Sequence, residues 1–145
     1  MDKCIGFTLT KSKIDHSDID LFDANLDLQV KIINGFYLYW WGIGDVLSCK
    51  IDNCYTLSFP KDKNLLDRNV LITVFNDQII IENDWLGSIP VFYNIKTKTI
   101  STLTKKVVDH AKVDEEGLYY YLRFGYSAFE KTPYQDVCFM RYFSK

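Results

Sequence analysis

From Val70 to Phe75, and again from Gln78 to Glu82, the chain is almost continuously apolar, broken only at Asn76-Asp77. Both arms are rich in β-branched residues, with Val70, Ile72, Thr73 and Val74 in the first and Ile79, Ile80 and Ile81 in the second. A branched Cβ suits a pleated surface, and two strand-length runs around a short polar turn spell a hairpin. An antiparallel strand with one wet face alternates apolar and polar residues, and these arms do not. Both faces of this hairpin are therefore expected to be covered, inside a sandwich or under helices.

The rest of the chain repeats the theme with shorter runs. Leu26, Leu28, Val30 and Ile32 alternate with Asp27, Gln29 and Lys31, the pattern of a half-buried strand. Asn34-Gly35 supplies the two positive φ values of a tight turn, and Phe36 to Trp41 returns as an aromatic strand. Val46 to Lys50 and Cys54 to Phe59 flank Asp52-Asn53, and Val91 to Asn94 and Lys98 to Ser101 flank Lys96 and Thr97. Lys3 to Leu9 has strand length, and its Gly6 predicts a bulge or a close backbone approach. Asp136 to Tyr142 is a last strand candidate. Thr10 to Asp20, with a solvated His16, and Pro60 to Asn69 are polar loops. Gly42-Ile43-Gly44-Asp45 lacks the third glycine, the Lys-Ser/Thr and the following helix of a phosphate loop, so a turn explains it better.

Helical signals come late. Thr102 or Thr104 can cap a short helix through Ala111, with Leu103, Val107 and Val108 on one side. Asp114 caps a second helix, with Glu115 and Glu116 in its first turn, Arg123 in its last and Gly125 to close it. Tyr119-Tyr120-Tyr121 wraps that helix, so its rings are expected in core and flank packing, not in a stacking platform.

At 145 residues the chain is read as one domain, 1–145, able to bury roughly 70% of its unfolded surface. Its 16% aromatic content leaves rings over for a partner or ligand face. A net charge of -2 with both signs interspersed carries no footprint for nucleic acid or an anionic membrane. No secretory signal and no membrane-spanning run is visible, so a cytoplasmic location is expected. Cys4, Cys49, Cys54 and Cys138 form no Cys-x-x-Cys pair and lie far from His16 and His110, so neither a zinc site nor a disulfide framework is expected. No cofactor is indicated.

From Val70 onward the order of elements resembles the end of the N-terminal class II glutamine amidotransferase domain of asparagine synthetase-like proteins. The residues that carry the resemblance are Asn83-Asp84-Trp85-Leu86-Gly87-Ser88-Ile89-Pro90-Val91-Phe92-Tyr93, then Ile100-Ser101-Thr102. Glu116-Gly117-Leu118, Tyr121-Leu122-Arg123-Phe124-Gly125 and Lys131-Thr132-Pro133-Tyr134-Gln135-Asp136-Val137 complete it. In that family these pieces correspond to an Asp-Arg-Leu-Gly-Ile-Lys-Pro-Leu-Tyr-Tyr-like turn, two helices and a Thr-Pro-x-x-x-Val-like segment. The resemblance covers about half of the chain. It implies an α+β fold, a shortened N-terminal-nucleophile (Ntn) hydrolase-like sandwich of two packed antiparallel sheets with flanking helices. The matching positions Asp84, Leu86, Gly87, Pro90, Phe92 and Tyr93 are implied to be structural.

The first half departs from the family. There the nucleophile is a Cys at the mature N-terminus, whose thiolate attacks the glutamine amide with its own α-amino group as base. Here position 2 is Asp2, and Cys4 would need removal of Met1, Asp2 and Lys3 to gain a free amine. The family's early Arg, which holds the glutamine carboxylate, has no counterpart before Arg68, a loss of about 1.5–3 kcal/mol of charge-assisted bonding. No Ser-Gly-Gly-x-Asp-Ser-like loop of a synthetase occurs. The expected role is a catalytically silent amidotransferase-like domain that supports or gates a synthetase-like, ATP-dependent amide-forming partner in cis or in trans, or self-associates. Two alternatives stand beside it: a processed glutaminase using Cys4, and a small β-rich binding module whose aromatic strand lines a groove.

Overall fold

The computed structural model describes residues 6–14, 28–42, 47–60, 69–83, 89–110 and 112–140. Ten strands and one α-helix follow in order: β1 Gly6–Thr10, β2 Gln29–Ile33, β3 Phe36–Trp41, β4 Leu47–Ile51, β5 Cys54–Pro60, β6 Asn69–Phe75, β7 Gln78–Asn83, β8 Phe92–Asn94, β9 Thr99–Ser101, α1 Glu115–Phe124 and β10 Val137–Phe139. The strands build two antiparallel sheets. One has six strands in the order β10-β8-β9-β1-β3-β2, and the other has four in the order β4-β5-β6-β7.

The turns behave as their residues dictate. Asn34 and Gly35 hold φ of 47° and 79° between β2 and β3, while Asp52 and Asn76 take φ of 52° and 51° in the next two hairpins. Short polar side chains tolerate this left-handed region, which is why these turns sit on Asn, Asp and Gly.

Strand alternation fixes the core. Phe7, Leu9, Ile33, Phe36, Leu38 and Ile100 of the six-stranded sheet meet Leu57, Val70, Ile72 and Val74 of the other, with Ile89, Val91 and Met140 closing the cluster. Two ties set the offset between the sheets. Lys11, just after β1, bridges Asp77 in the β6–β7 turn at 2.8 Å. Asn34 donates through Nδ2 to the Asn53 carbonyl at 2.8 Å and to that of Val74 at 3.4 Å. Since β1 reaches the turn that leads into β7, the strands beyond it (β9, β8 and β10) overhang the edge of the smaller sheet.

Gly6 shows the close approach its place in the strand predicts. A Cβ there would lie 2.1 Å from Trp41 Cζ2 and 2.6 Å from Thr102 Oγ1. Behind it runs a buried ladder of hydroxyls, with Thr8 Oγ1 2.7 Å from Ser101 Oγ and Thr10 Oγ1 3.3 Å from Thr99 Oγ1.

Four expectations are corrected. In β2, Val30 and Ile32 point outward, 49% and 65% exposed, while Ile33 is fully buried. As the outermost strand of its sheet, β2 has only its end residue under the opposing sheet, so its apolar alternation does not mark the core face. The second face of the β6–β7 hairpin is not covered either, for Phe75 and Ile80 are 45% and 40% exposed. The helix expected up to Ala111 is a single 3₁₀ turn, Thr104–Lys106, whose N-cap is Leu103 with no side-chain cap. Thr102 cannot serve it, because its Oγ1 accepts from the Phe7 N–H at 3.1 Å. Finally, Tyr119 and Tyr121 are exposed, not in core packing.

The second helix matches expectation, with Asp114 accepting from the Gly117 N–H and Gly125 at φ 78° in the C-cap. Among the described residues α1 is the only α-helix, and no helix is long and apolar enough to cross a membrane. The last strand is shorter than expected, and Tyr142 lies outside the described residues, as do His16, Gly44, Asp45 and the 61–68 loop.

Candidate functional site

Of the residues singled out from the sequence, Cys4, Asp84, Leu86 and Gly87 lie outside the described residues. Pro90 is exposed on the approach to β8. Phe92 and Tyr93 follow on β8 and, being neighbours in a strand, point to opposite faces. Phe92 turns outward onto Phe139, with ring centroids 5.3 Å apart. Tyr93 turns inward, opposite Cys138 of β10 and Ile100 of β9. The described part of the motif therefore splits between the two sides of the sheet.

Where Tyr93 points, the overhang of the larger sheet opens a cleft of about 700 Å³. Its walls are Ile79 and Ile81 of β7 on one side and Tyr93, Ile100 and Met140 on the other, with Asp77, Lys98 and Glu130 at the mouth. Burial drives the Tyr93 phenol up to about 12, helped by Cys138 and Glu130 nearby. Burial likewise raises the Cys138 thiol, an effect that the Tyr93 hydrogen bond opposes and Glu130 reinforces. A thiol held in its protonated form is a poor nucleophile, so this pair gives the cleft a polar spot without an activated group. Apolar walls with a few polar groups at the rim suit binding better than covalent chemistry.

A second surface is built by α1 and the loop after it. Asp114 and Gly117 seat the N-terminus of the helix on the 131–137 hook. Asp114 N–H donates to the Pro133 carbonyl at 3.0 Å, and the Thr132 hydroxyl donates to the Val137 carbonyl at 2.7 Å. Lys131 closes the clamp on Glu116, which also accepts from the Tyr120 hydroxyl at 2.9 Å. The Lys131 ammonium first, then Tyr120, holds the Glu116 carboxyl below its ordinary range, and Glu116 in turn raises Lys131.

Only Gly117 of the helix is buried, Leu118 and Tyr120 are half-buried, and the other side chains are exposed. Tyr120 sits at the centre of a ring cluster, 5.8 Å from Tyr119, 6.2 Å from Phe124 and 5.0 Å from Phe129, and Tyr126 lies 6.1 Å from Phe124. Tyr119, Leu122 and Phe129 are 61%, 75% and 63% exposed. An isolated exposed apolar residue is ordinary, but a contiguous aromatic patch marks an interaction surface. The sequence signal for it was the surplus of aromatic residues; what concealed its position was helical spacing, which reads alike for a core face and a docking face.

Among the described residues no group of three or more His, Cys, Asp and Glu side chains could hold a metal ion. Compared with known protein families and with curated proteins, the chain matches none.

Proposed function

We propose that the chain is a catalytically silent amidotransferase-like domain, a shortened sandwich of the Ntn-hydrolase type, that supports or gates a synthetase-like, ATP-dependent amide-forming partner in cis or in trans. The observation that carries this reading is the aromatic surface of α1 and its following loop. Phe124 of that surface, and the Lys131 to Val137 hook that anchors it, fall among the residues of the family resemblance, while the other rings lie between its segments. The silent reading is supported by the lack of any Arg before Arg68 to hold a glutamine carboxylate.

The test mixes the purified chain with the ATP-dependent amide-forming domain of an asparagine synthetase and follows complex mass by light scattering. A complex is expected with the wild type and not with Leu122→Glu, provided that the variant keeps its melting temperature. Glutamate release from glutamine is expected to be no greater than that of Cys4→Ala. Release that disappears in Cys4→Ala would make the domain a working glutaminase, and a strict monomer that captures no such partner would remove the docking reading.

A further inference from the structure

The cleft beside β7 has the dimensions and chemistry of a missing strand. The six-stranded sheet extends past the four-stranded one, so Tyr93, Ile100 and Met140 look across the cleft at Ile79 and Ile81 of β7, the last described strand of the smaller sheet. Strands lie about 4.8 Å apart, rise about 3.4 Å per residue and separate sheets by about 10 Å, so four or five added residues fill roughly 650–800 Å³. The cleft offers about 700 Å³.

Hydrogen bonding fits as well. The β6–β7 hairpin turns on two residues, Asn76 and Asp77, which makes Phe75 and Gln78 a hydrogen-bonded pair. Ladder bonds then recur at Thr73–Ile80 and Leu71–Glu82, and the N–H and C=O groups of Ile79 and Ile81 point the other way, toward the cleft. No described strand lies beside β7 on that side. The same two residues place their side chains on the core face, where both line the cleft. Charge marks one end. Lys98 stands at the mouth by the β6–β7 turn, exposed, with its Nζ 3.4 Å from the Asp77 carbonyl, while the Asp77 carboxylate is itself paired with Lys11 at 2.8 Å.

We infer that the open edge of β7 binds an extended peptide of another protein as a fifth strand. Alternate apolar side chains of that peptide enter the cleft between Ile79, Ile81, Ile100 and Met140, and an acidic residue at the end near the turn pairs with Lys98. Main-chain bonds to Ile79 and Ile81 supply affinity and the apolar cleft supplies side-chain preference, the division of labour of strand addition. This inference rests on the sheet edge alone and is independent of the α1 surface.

The probe is a blocked peptide of alternating valine and threonine ending in aspartate, offered at up to millimolar concentration. Binding is read by amide hydrogen exchange and by fluorescence anisotropy. The amides of Ile79 and Ile81 are expected to slow about tenfold or more on addition of peptide. N-methylation of one alternate set of peptide amides should weaken binding about tenfold, whereas methylation of the other set should leave it nearly unchanged. Lys98→Ala should weaken the acidic-ended peptide and leave a neutral-ended one unaffected. No binding, equal effects of both methylation patterns, or unchanged exchange at Ile79 and Ile81 would overturn the inference. Slow exchange at those amides before any peptide is added would overturn it too: in a dimer the occupant is a second copy, and in a monomer the edge is covered by the chain itself.

Discussion

Gly117 packs against the carbonyl of Thr132 so closely that a Cβ on Gly117 would lie 1.9 Å from that oxygen. Neither partner is free to yield. Asp114 caps the Gly117 N–H at 2.7 Å, and Thr132 is buried and bonded through its hydroxyl. Gly117→Ala would gain up to about 1 kcal/mol in helix propensity. Overpacking against fixed backbone outweighs this, and a net loss of about 1–3 kcal/mol is expected. Chemical denaturation checks it; a stabilised variant would mean that α1 is not seated on this hook.

Two other glycines separate steric from conformational cost. At Gly6 the obstacles are the Trp41 ring, itself 2% exposed and unable to swing clear, and the Thr102 hydroxyl, so Gly6→Ala is expected to cost about 1–3 kcal/mol. At Gly35 no atom lies within 4 Å of an added Cβ, but φ is +79°, so Gly35→Ala is expected to cost about 1–2 kcal/mol through backbone strain alone. Adding Trp41→Leu should recover part of the Gly6→Ala loss, the Thr102 hydroxyl still standing in the way, and none of the Gly35→Ala loss, which a double-mutant cycle measures.

The core prediction is Ile72→Ala. Ile72 is fully buried, pairs with Leu57 and Ile81, and faces the other sheet. Its truncation is expected to cost about 2–5 kcal/mol, depending on how far the two sheets can close on the cavity. Thr73→Ala, one residue away on the opposite face, should cost far less in the same denaturant titration.

Alkaline pH should weaken the fold through Tyr93. In the folded chain Tyr93 keeps its proton to about 12, against an ordinary 10.0. Between those values the unfolded state binds fewer protons, so stability is full below pH 10 and falls as pH rises toward 12. Cys138, also raised by burial, acts in the same direction from its ordinary 9.0. The melting temperature of Tyr93→Phe, Cys138→Ala should decline less steeply over this range than that of the wild type. An identical decline would mean that neither group is desolvated.

The local elements were legible because single residues dictate them. Asn34-Gly35 fixes the β2–β3 turn, Asp52 and Asn76 adopt left-handed φ where polar dipeptides stand, and Asp114 and Gly125 bound α1. The faces were less legible, because which side is covered depends on residues distant in the chain. Val30 and Ile32 carry the alternation of a core strand, yet lie at the rim of a sheet. Ile80 and Phe75 belong to an apolar run with nothing described above them. The aromatic residues of α1 follow helical spacing, but the closeness of Gly117 to Thr132 decides which of them are turned out. Tyr93 was picked out by a motif; the cleft it lines required the mismatch in strand number between the sheets, which no short stretch of sequence encodes.

The order of strands has a further consequence for how the chain reaches this structure. Strands β4 to β7 each pair with their neighbour in sequence, two of the three junctions being two-residue turns, so this sheet closes through short loops. In the other sheet β1 lies between β3 and β9, and Thr8 meets Ser101 across 93 residues. Long-range closure is slow. During synthesis one edge of β1 waits until residue 101 has emerged, with Phe7 and Leu9 already made and their final cover incomplete. The smaller sheet is the natural template for the larger, and β1, made before every other described strand, is among the last to be enclosed.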